Sequence, residues 1–305
     1  MLKKGLVGDI LKELSVICFN LASVIPDEPY LRLIYRMRTK KKLDLKNPKR
    51  FNEKIQWLKI YDRNPLYTVM ADKYGARKFV ADKIGEEYLI PLIGVYDRFD
   101  EIDFEQLPKE FVMKCTHDSG GLVICRDKSK LDLKKTRRRI EKCLKRNFFW
   151  KGREWPYKDI PPKIIIEKYM SDSNVKDGRA GLTDYKFYCF SGEPEYLYVS
   201  RGLEDHATAN ISFYTMDFEP AEFHRRDYKV FSQKVEKPEL FEEMRKLARI
   251  LSAGMAFARV DLYVIEDRIY FSEMTLHPVS GFMPFEPDEW DEKLGDRIDL
   301  SIVKK

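Results

Sequence analysis

ARVDLYV (residues 258–264) and IYFSEMTLHPVSGF (269–282) are aromatic and β-branched runs separated by a short polar link. They predict two antiparallel strands, Arg259 to Val264 and Arg268 to Glu273, facing each other across Ile265-Glu266-Asp267. Side chains alternate along a strand, so Arg259 and Asp261 point to one face and Val260 to the other, and Glu273 and Thr275 share a face in the same way. A hairpin brings the two acids close together. Two carboxylates so placed either share a proton or hold a hard cation, and the adjacent arginine suits phosphate, so Mg²⁺ bridging a polyphosphate is the chemistry this pair suggests. The plainer alternative is an ordinary salt-bridged strand pair.

Upstream, Phe111 to Cys115 and Leu122 to Cys125 read as apolar strands joined by Thr116-His117-Asp118-Ser119-Gly120-Gly121, a polar link with two glycines. Lys114 stands just before that loop, where a fixed ammonium and free backbone N–H groups can grip phosphate oxygens. Taken alone, Ser119-Gly120-Gly121 is an ordinary turn. Ile164-Ile165-Ile166 leads into Glu167-Lys168-Tyr169-Met170, read either as a core strand or as one that presents backbone groups and an apolar slot to a purine. Helices are expected over 52–61, closed by Asn64-Pro65, over 66–84 with Lys73 in it, and over 238–255. Strands are expected over 185–190 and 196–199. Between Lys128 and Arg153 lysines and arginines accumulate around a thin apolar stripe of Leu131, Ile140 and Leu144. This basic helix is a solvated face or a surface for an anionic substrate, with Trp150, Trp155 and Tyr157 nearby to stack on a sugar.

With 305 residues, 44% hydrophobic and 13% aromatic, the chain has the apolar material for a sizeable core. Its 56 Lys+Arg against 50 Asp+Glu leave +6, too small a surplus to make nucleic acid the default partner, so a basic patch must be local. Five cysteines without a CxxC pair argue against a disulfide framework and a structural zinc site, and fit a reducing cytoplasm. Leu6, Ile10, Leu14, Ile17 and Leu21 recur at helical spacing, while Asp9, Lys12 and Glu13 interrupt the apolar run. The stretch from Leu6 to Ile25 therefore reads as an amphipathic helix that docks on the protein or lies on a membrane surface, not as a spanning segment or signal peptide. Hairpins interleaved with helices indicate an α+β or mixed α/β class rather than a doubly wound parallel sheet. The first βα turn of a dinucleotide fold, the Walker phosphate loop and GxSxG are all missing.

Asp72-Lys73 opening a helix, Lys114 before a glycine loop, Glu167-Lys168-Tyr169-Met170, and Arg259-x-Asp261 followed by Glu273-x-Thr275 occur in an order that resembles D-alanine ligase-like ATP-grasp enzymes. Over a wider span, from NPKRFNEKIQWLKIYDRNPLY (47–67) through ADKYGARKFV (71–80), IGEEYLIPLIGVYDRFDEIDF (84–104) and DYKFYCFSGEPEYLYV (184–199) to EWDEKLGD (289–296), the chain is similar to the TupA-like ATP-grasp family of teichuronopeptide biosynthesis. The resemblance implies an ATP-grasp α+β fold, with an N-terminal helical region (1–62) and an ATP-grasp domain (63–305). Within the latter it implies a lid at 111–170 and a metal-binding subdomain at 171–305.

The same resemblance implies that Lys73 and Lys114 contact the phosphates of ATP, that Ser119, Gly120 and Gly121 close over them, and that Glu167, Lys168, Tyr169 and Met170 hold adenine. Asp184 would reach the ribose and Lys186 a phosphate or substrate. Asp261 and Glu273 would ligate Mg²⁺, with Thr275 where the superfamily often has asparagine, and Arg259 would meet the transferred phosphoryl group. Thr116 and Asp118 depart from a CNHGSGG-like string, and Val279 replaces a glycine in a YPGSGF-like turn. The implied reaction joins an amino acid, through an acyl phosphate, to a uronic acid of a bacterial surface polysaccharide. A glycosyltransferase of that pathway, for which no clear DxD is present, and a nucleotide-binding scaffold on membrane-associated machinery are the alternatives. His117 and His277, near the expected site, read as hydrogen-bonding residues or as a general base.

Overall fold

The computed structural model describes residues 24–171, 182–202 and 209–303; all but the last two residues of the expected amphipathic stretch lie outside them. Helices α1 (Asp27–Thr39), α2 (Phe51–Tyr61), α3 (Leu66–Ala71) and α4 (Gly75–Ile84) come first. Strands β1 (Leu92–Tyr96), β2 (Phe111–Cys115) and β3 (Leu122–Cys125) follow, then helices α5 (Leu133–Leu144) and α6 (Phe149–Gly152) and strand β4 (Ile164–Lys168). The remainder is β5 (Asp184–Phe190), β6 (Glu193–Arg201), β7 (Asn210–Thr215), β8 (His224–Arg225), α7 (Phe241–Ser252), β9 (Phe257–Ile265), β10 (Arg268–Thr275), β11 (Phe285–Glu286) and α8 (Trp290–Arg297).

Two antiparallel sheets organise the chain, one in the order β1-β4-β2-β3 and one in the order β10-β9-β5-β6-β7. The smaller sheet reaches further back than the expected lid, because β1 pairs with β4. Side-chain alternation within a strand does not say which distant strand completes its hydrogen bonds.

The larger sheet is packed on both faces. Phe187, Leu197, Val199, Val260 and Leu262 meet the apolar stripe of α7, whose Phe241, Met244, Leu247, Ala248 and Leu251 recur at helical spacing. Ala76, Phe79 and Val80 of α4 enter the same core. On the other face, Tyr188, Phe190, Tyr198, Phe213 and Phe257 form an aromatic cluster with α1, α2 and the C-terminal segment. Phe51 is its hub, edge-on to Phe257 at 5.0 Å and to Phe285 at 5.5 Å between ring centroids. Residues 27–61 thus share a core with the large sheet and do not form a separate helical unit.

Phe51 has no exposed surface, so Phe51→Ala is expected to remove about 3–5 kcal/mol of stability in a denaturant titration, the transfer and cavity cost of a buried phenyl ring. A loss below about 1 kcal/mol would mean that α2 is dispensable to this core.

Candidate active site

The site is built from an irregularity in β10. The strands β9 and β10 are joined by Glu266 and Asp267, both in the left-handed region (φ 49° and 59°), the conformation a two-residue hairpin turn needs to match the twist of its strands. A regular register from that turn sets Ser272 opposite Asp261 and sends Glu273 to the other face. A bulge between Phe271 and Glu273 absorbs one residue instead, so that Glu273 pairs with Asp261 and Thr275 with Arg259. On the neighbouring strand Lys186 pairs with Asp261, and Asp184 lies two residues away. Asp184, Lys186, Arg259, Asp261 and Glu273 therefore share one face of the sheet.

Their contacts form a chain of opposite charges. Asp261, with no exposed surface, accepts at Oδ1 from Arg259 Nε (2.7 Å) and at Oδ2 from Arg259 Nη2 (2.6 Å) and Lys186 Nζ (2.7 Å). Lys186 also donates to Asp184 Oδ1 (3.0 Å), and Arg259 Nη2 to Glu273 Oε1 (3.2 Å). Burial pulls the Lys186 ammonium and Arg259 guanidinium down, but Asp184 and Asp261 beside the first and Asp261 beside the second prevail and hold both cations well above their ordinary values. Burial pushes the Asp184 carboxyl up, only partly offset by Lys186. For Glu273 burial acts upward too, yet Arg259, then Lys186, Lys73 and Lys114, outweigh it and keep the carboxyl below its usual range.

The small sheet presents a second set. Lys114 Nζ lies 2.7 Å from Glu167 Oε2, and Arg77 Nη1 donates to Glu167 Oε1 at 3.0 Å. Between the sheets is a cavity of about 440 Å³. Lys73, Lys114, Ser119, Gly120, Gly121, the run from Glu167 to Met170, Asp184, Lys186 and Glu273 all line it, with Ile90, Val112, Ile165 and Leu182 as apolar walls. Arg77, which sequence reasoning passed over, lines it as well. Its spacing of four residues from Lys73 was the available signal.

Three expected site residues do not line the cavity: Arg259, Asp261 and Thr275. Alternation says which face a residue takes, not which neighbour occupies its oxygens. Asp261 is enclosed by Arg259 and Lys186, Thr275 lies beside Arg259 in the ladder, and of the two carboxylates expected to ligate metal it is Glu273, with its side chain 41% exposed, that reaches the opening. Among the described residues no group of three or more His, Cys, Asp or Glu side chains is arranged to hold a metal.

The glycine loop is tied down by its departures from the expected string. The buried Asp118 carboxylate accepts from Arg146 Nε (2.8 Å) and Cys143 Sγ (2.9 Å), and its carbonyl accepts from Lys73 Nζ (2.5 Å). His117 Nε2 lies 3.2 Å from the Cys143 carbonyl and 3.1 Å from that of Arg146, and burial lowers its pKa; it anchors the loop to the end of α5. Burial also holds His277 well below its ordinary pKa, outside the cavity lining. Val279 and Ser280 both adopt left-handed backbone (φ 49° and 55°), and Lys59 and Gln56 collect the carbonyls of that turn. The aromatic residues expected to stack on a sugar are engaged elsewhere: Trp155 Nε1 donates to Asp62 O (2.7 Å), Trp150 faces Arg153 and Tyr157 packs edge-on to Phe148.

A family model described as TupA-like ATP-grasp matches residues 53–299. The chain belongs to the TupA-like ATP-grasp family. The ATP-grasp fold expected from the sequence is its fold, two antiparallel sheets facing each other across a cavity. No curated protein matches the sequence. Similar solved structures include a D-alanine–D-alanine ligase from Bacillus anthracis complexed with ATP, 17% identical over 68% of this chain and 55% of that one, TM-score 0.38. VanG D-Ala:D-Ser ligase from Enterococcus faecalis is 12% identical over 77% of this chain and 62% of that one, TM-score 0.40. ATP-grasp ligase PsnB, complexed with minimal precursor, Mg and ADP, is 12% identical over 83% and 66%, TM-score 0.38. The chain spans 55% to 61% of the D-alanine–D-alanine ligases it matches.

Burial raises the Asp118 carboxyl, but its bonds from Cys143 and Arg146 bring it below its ordinary 3.8. A carboxyl whose pKa falls on folding stabilises the fold above its unfolded value and loses that contribution as pH drops through the folded one. Asp118→Asn is therefore expected to cost about 1–2 kcal/mol near pH 7, Arg146 being partly screened by solvent, with the penalty closing below about pH 3.8. Denaturant titrations of both proteins across that range check it; an unchanging difference would show that the charge of Asp118 is not what holds the loop.

Proposed function

We propose that this protein is an ATP- and Mg²⁺-dependent carboxylate–amine ligase that joins an amino acid to a uronic acid of a bacterial surface polysaccharide. The observation that carries this reading is the cavity itself, in a chain of the TupA-like ATP-grasp family: Lys73, Lys114 and Lys186 surround a half-exposed carboxylate, Glu273, beside apolar walls. That combination suits a polyphosphate with its metal and a purine. Mg²⁺ commonly takes one or two carboxylates, with phosphate oxygens and water completing its shell, and Glu273 fits that need, while Asp261 opposite it holds Arg259 and Lys186 in place.

In this reaction the substrate carboxylate takes the γ-phosphoryl group of ATP, ADP leaves, and the amine then attacks the acyl phosphate, losing a proton and displacing phosphate to leave the amide; Mg²⁺, when bound, would offset phosphate charge. Lys114 and Lys73 bind the phosphates, and the Ser119–Gly121 loop covers them and excludes water. Tyr169, Met170 and the neighbouring backbone seat the base. Asp184 is placed for the ribose, though its bond to Lys186 must then be shared. Lys186, held protonated by Asp184 and Asp261, and Arg259, paired with Asp261, fix positive charge beneath Glu273 before any substrate arrives. Asp118 does not oppose this reading, because Arg146 meets its charge. Among the described residues no helix is long and apolar enough to cross a membrane. The need for ATP is what favours a cytoplasmic setting.

ADP release is expected only when Mg²⁺, an amino acid and a uronate-containing oligosaccharide are all present. Glu273→Gln keeps the shape and removes the charge, and should cut that release by about two orders of magnitude. Lys114→Ala should weaken ATP binding about tenfold or more in calorimetry, a charged hydrogen bond being worth about 1.5–3 kcal/mol. ATP binding without turnover on any substrate pair would favour the scaffold, and thermal stabilisation by UDP-sugars but not by ATP the glycosyltransferase.

A further inference from the structure

Residues 128–146 hold ten Lys and Arg against two Asp and Glu, a surplus larger than the +6 of the whole chain. Four of these cations have local partners: Arg137 with Asp100 and Glu141, Arg146 with Asp118, Lys130 with Asp127, and Lys128 on the carbonyls of Glu105 and Leu107. The other six, Lys134, Lys135, Arg138, Arg139, Lys142 and Lys145, are exposed and meet no acidic partner among the described residues. At 3.6 residues per turn they fall within about 140° of arc, along about 17 Å of helix. The opposite side, Thr136, Ile140 and Cys143, is buried against the small sheet.

This arrangement works against the helix that carries it. Lys134, Arg138 and Lys142 repeat at four-residue spacing, as do Lys135 and Arg139, and such like-charge pairs repel. Lys134 and Lys135 also sit in the first turn, where the helix dipole disfavours cations, and no acidic residue occupies that turn. The Asp132 cap, accepting from Lys135 N at 2.9 Å, and the buried stripe hold the helix in spite of this. The row of cations leads to Arg146, which grips Asp118 of the glycine loop and lies 3.1 Å from where a Cβ at Gly120 would stand.

We propose that this face of α5 is the docking surface for the acidic polysaccharide chain whose carboxylates are processed in the cavity, an inference that rests on the ligase reading above. Charge complementarity selects a polyanion. A bilayer-bound helix needs an apolar face toward the lipid, and that of α5 is turned into the small sheet's core, leaving Leu133 as its exposed apolar side chain. Single-stranded nucleic acid is held by aromatic platforms as well as charge, and α5 carries no aromatic residue. A polymer of sugar carboxylates asks only for a row of cations, here one that ends at the rim of the cavity.

The test uses the full chain and polygalacturonate as probe. Wild-type protein is expected to bind it in calorimetry with an affinity that falls steeply as salt is raised, and to ignore neutral dextran. The variant K134Q/R138Q/R139Q/K142Q should bind polygalacturonate at least tenfold more weakly while its ATP affinity and circular dichroism stay unchanged; if it fails to fold, K134Q/K142Q, expected to lose threefold or more, replaces it. Equal polygalacturonate affinity in wild type and variant would overturn the proposal. So would tighter wild-type binding to phosphatidylglycerol vesicles, which would make the face a membrane contact, or to oligonucleotides. Failure of wild-type protein to bind ATP overturns the ligase reading instead, whereas intact ATP binding without polygalacturonate binding overturns the docking surface alone.

Discussion

Asp261, with no surface in contact with water, lies between the guanidinium of Arg259 and the ammonium of Lys186, and the geometry of the site follows from that contact. A carboxylate taken out of water is costly unless charge and hydrogen bonds replace its hydration, and losing one partner of a buried pair commonly costs about 3–5 kcal/mol. Both oxygens of Asp261 are satisfied, so the two cations have little freedom to turn elsewhere. Their positive charge is thereby set under Glu273 and beside Asp184. The cavity floor is a prearranged electrostatic surface whose strength does not depend on a ligand to order it.

The roof is stabilised by the same means from different elements. Lys114 of β2 and Arg77 of α4 converge on Glu167 of β4, and Arg146 beyond α5 converges on Asp118 in the glycine loop. Each pair joins segments far apart in sequence, so the charges that face the cavity also hold the small sheet, its loop and the neighbouring helices in one arrangement. The loop glycines allow close approach: a Cβ at Gly121 would collide with the sulfurs of Cys143 and Cys115.

Charge outside the cavity follows a different rule. Six exposed cations, Lys134, Lys135, Arg138, Arg139, Lys142 and Lys145, meet no acidic partner among the described residues, and they gather on one face of α5 and its C-terminal end. The small overall surplus conceals this concentration, because a net charge sums over the whole chain whereas a polymer meets one face.

The sequence by itself marks, through local pattern, the paired strands β9 and β10, the helices α2 and α7, and the alternation that puts Arg259 and Asp261 on one face, since these depend on neighbours in the chain, whereas the helix expected over 66–84 breaks between Ala71 and Gly75 and leaves Lys73 in the turn. The sequence also ordered the cavity-lining residues, from Lys73 to Glu273, through a pattern of motifs the family shares. What it could not decide was the bulge at Ser272, without which Glu273 would face away from Asp261, the pairing of β1 with β4, and the partners of each charge. Asp261 read as a metal ligand because its type and spacing suit one; whether its oxygens face a cavity or two cations depends on which strand lies beside it. Periodicity is a property of one segment, whereas register, enclosure and ion pairing arise between segments, and only the tertiary structure brings those together.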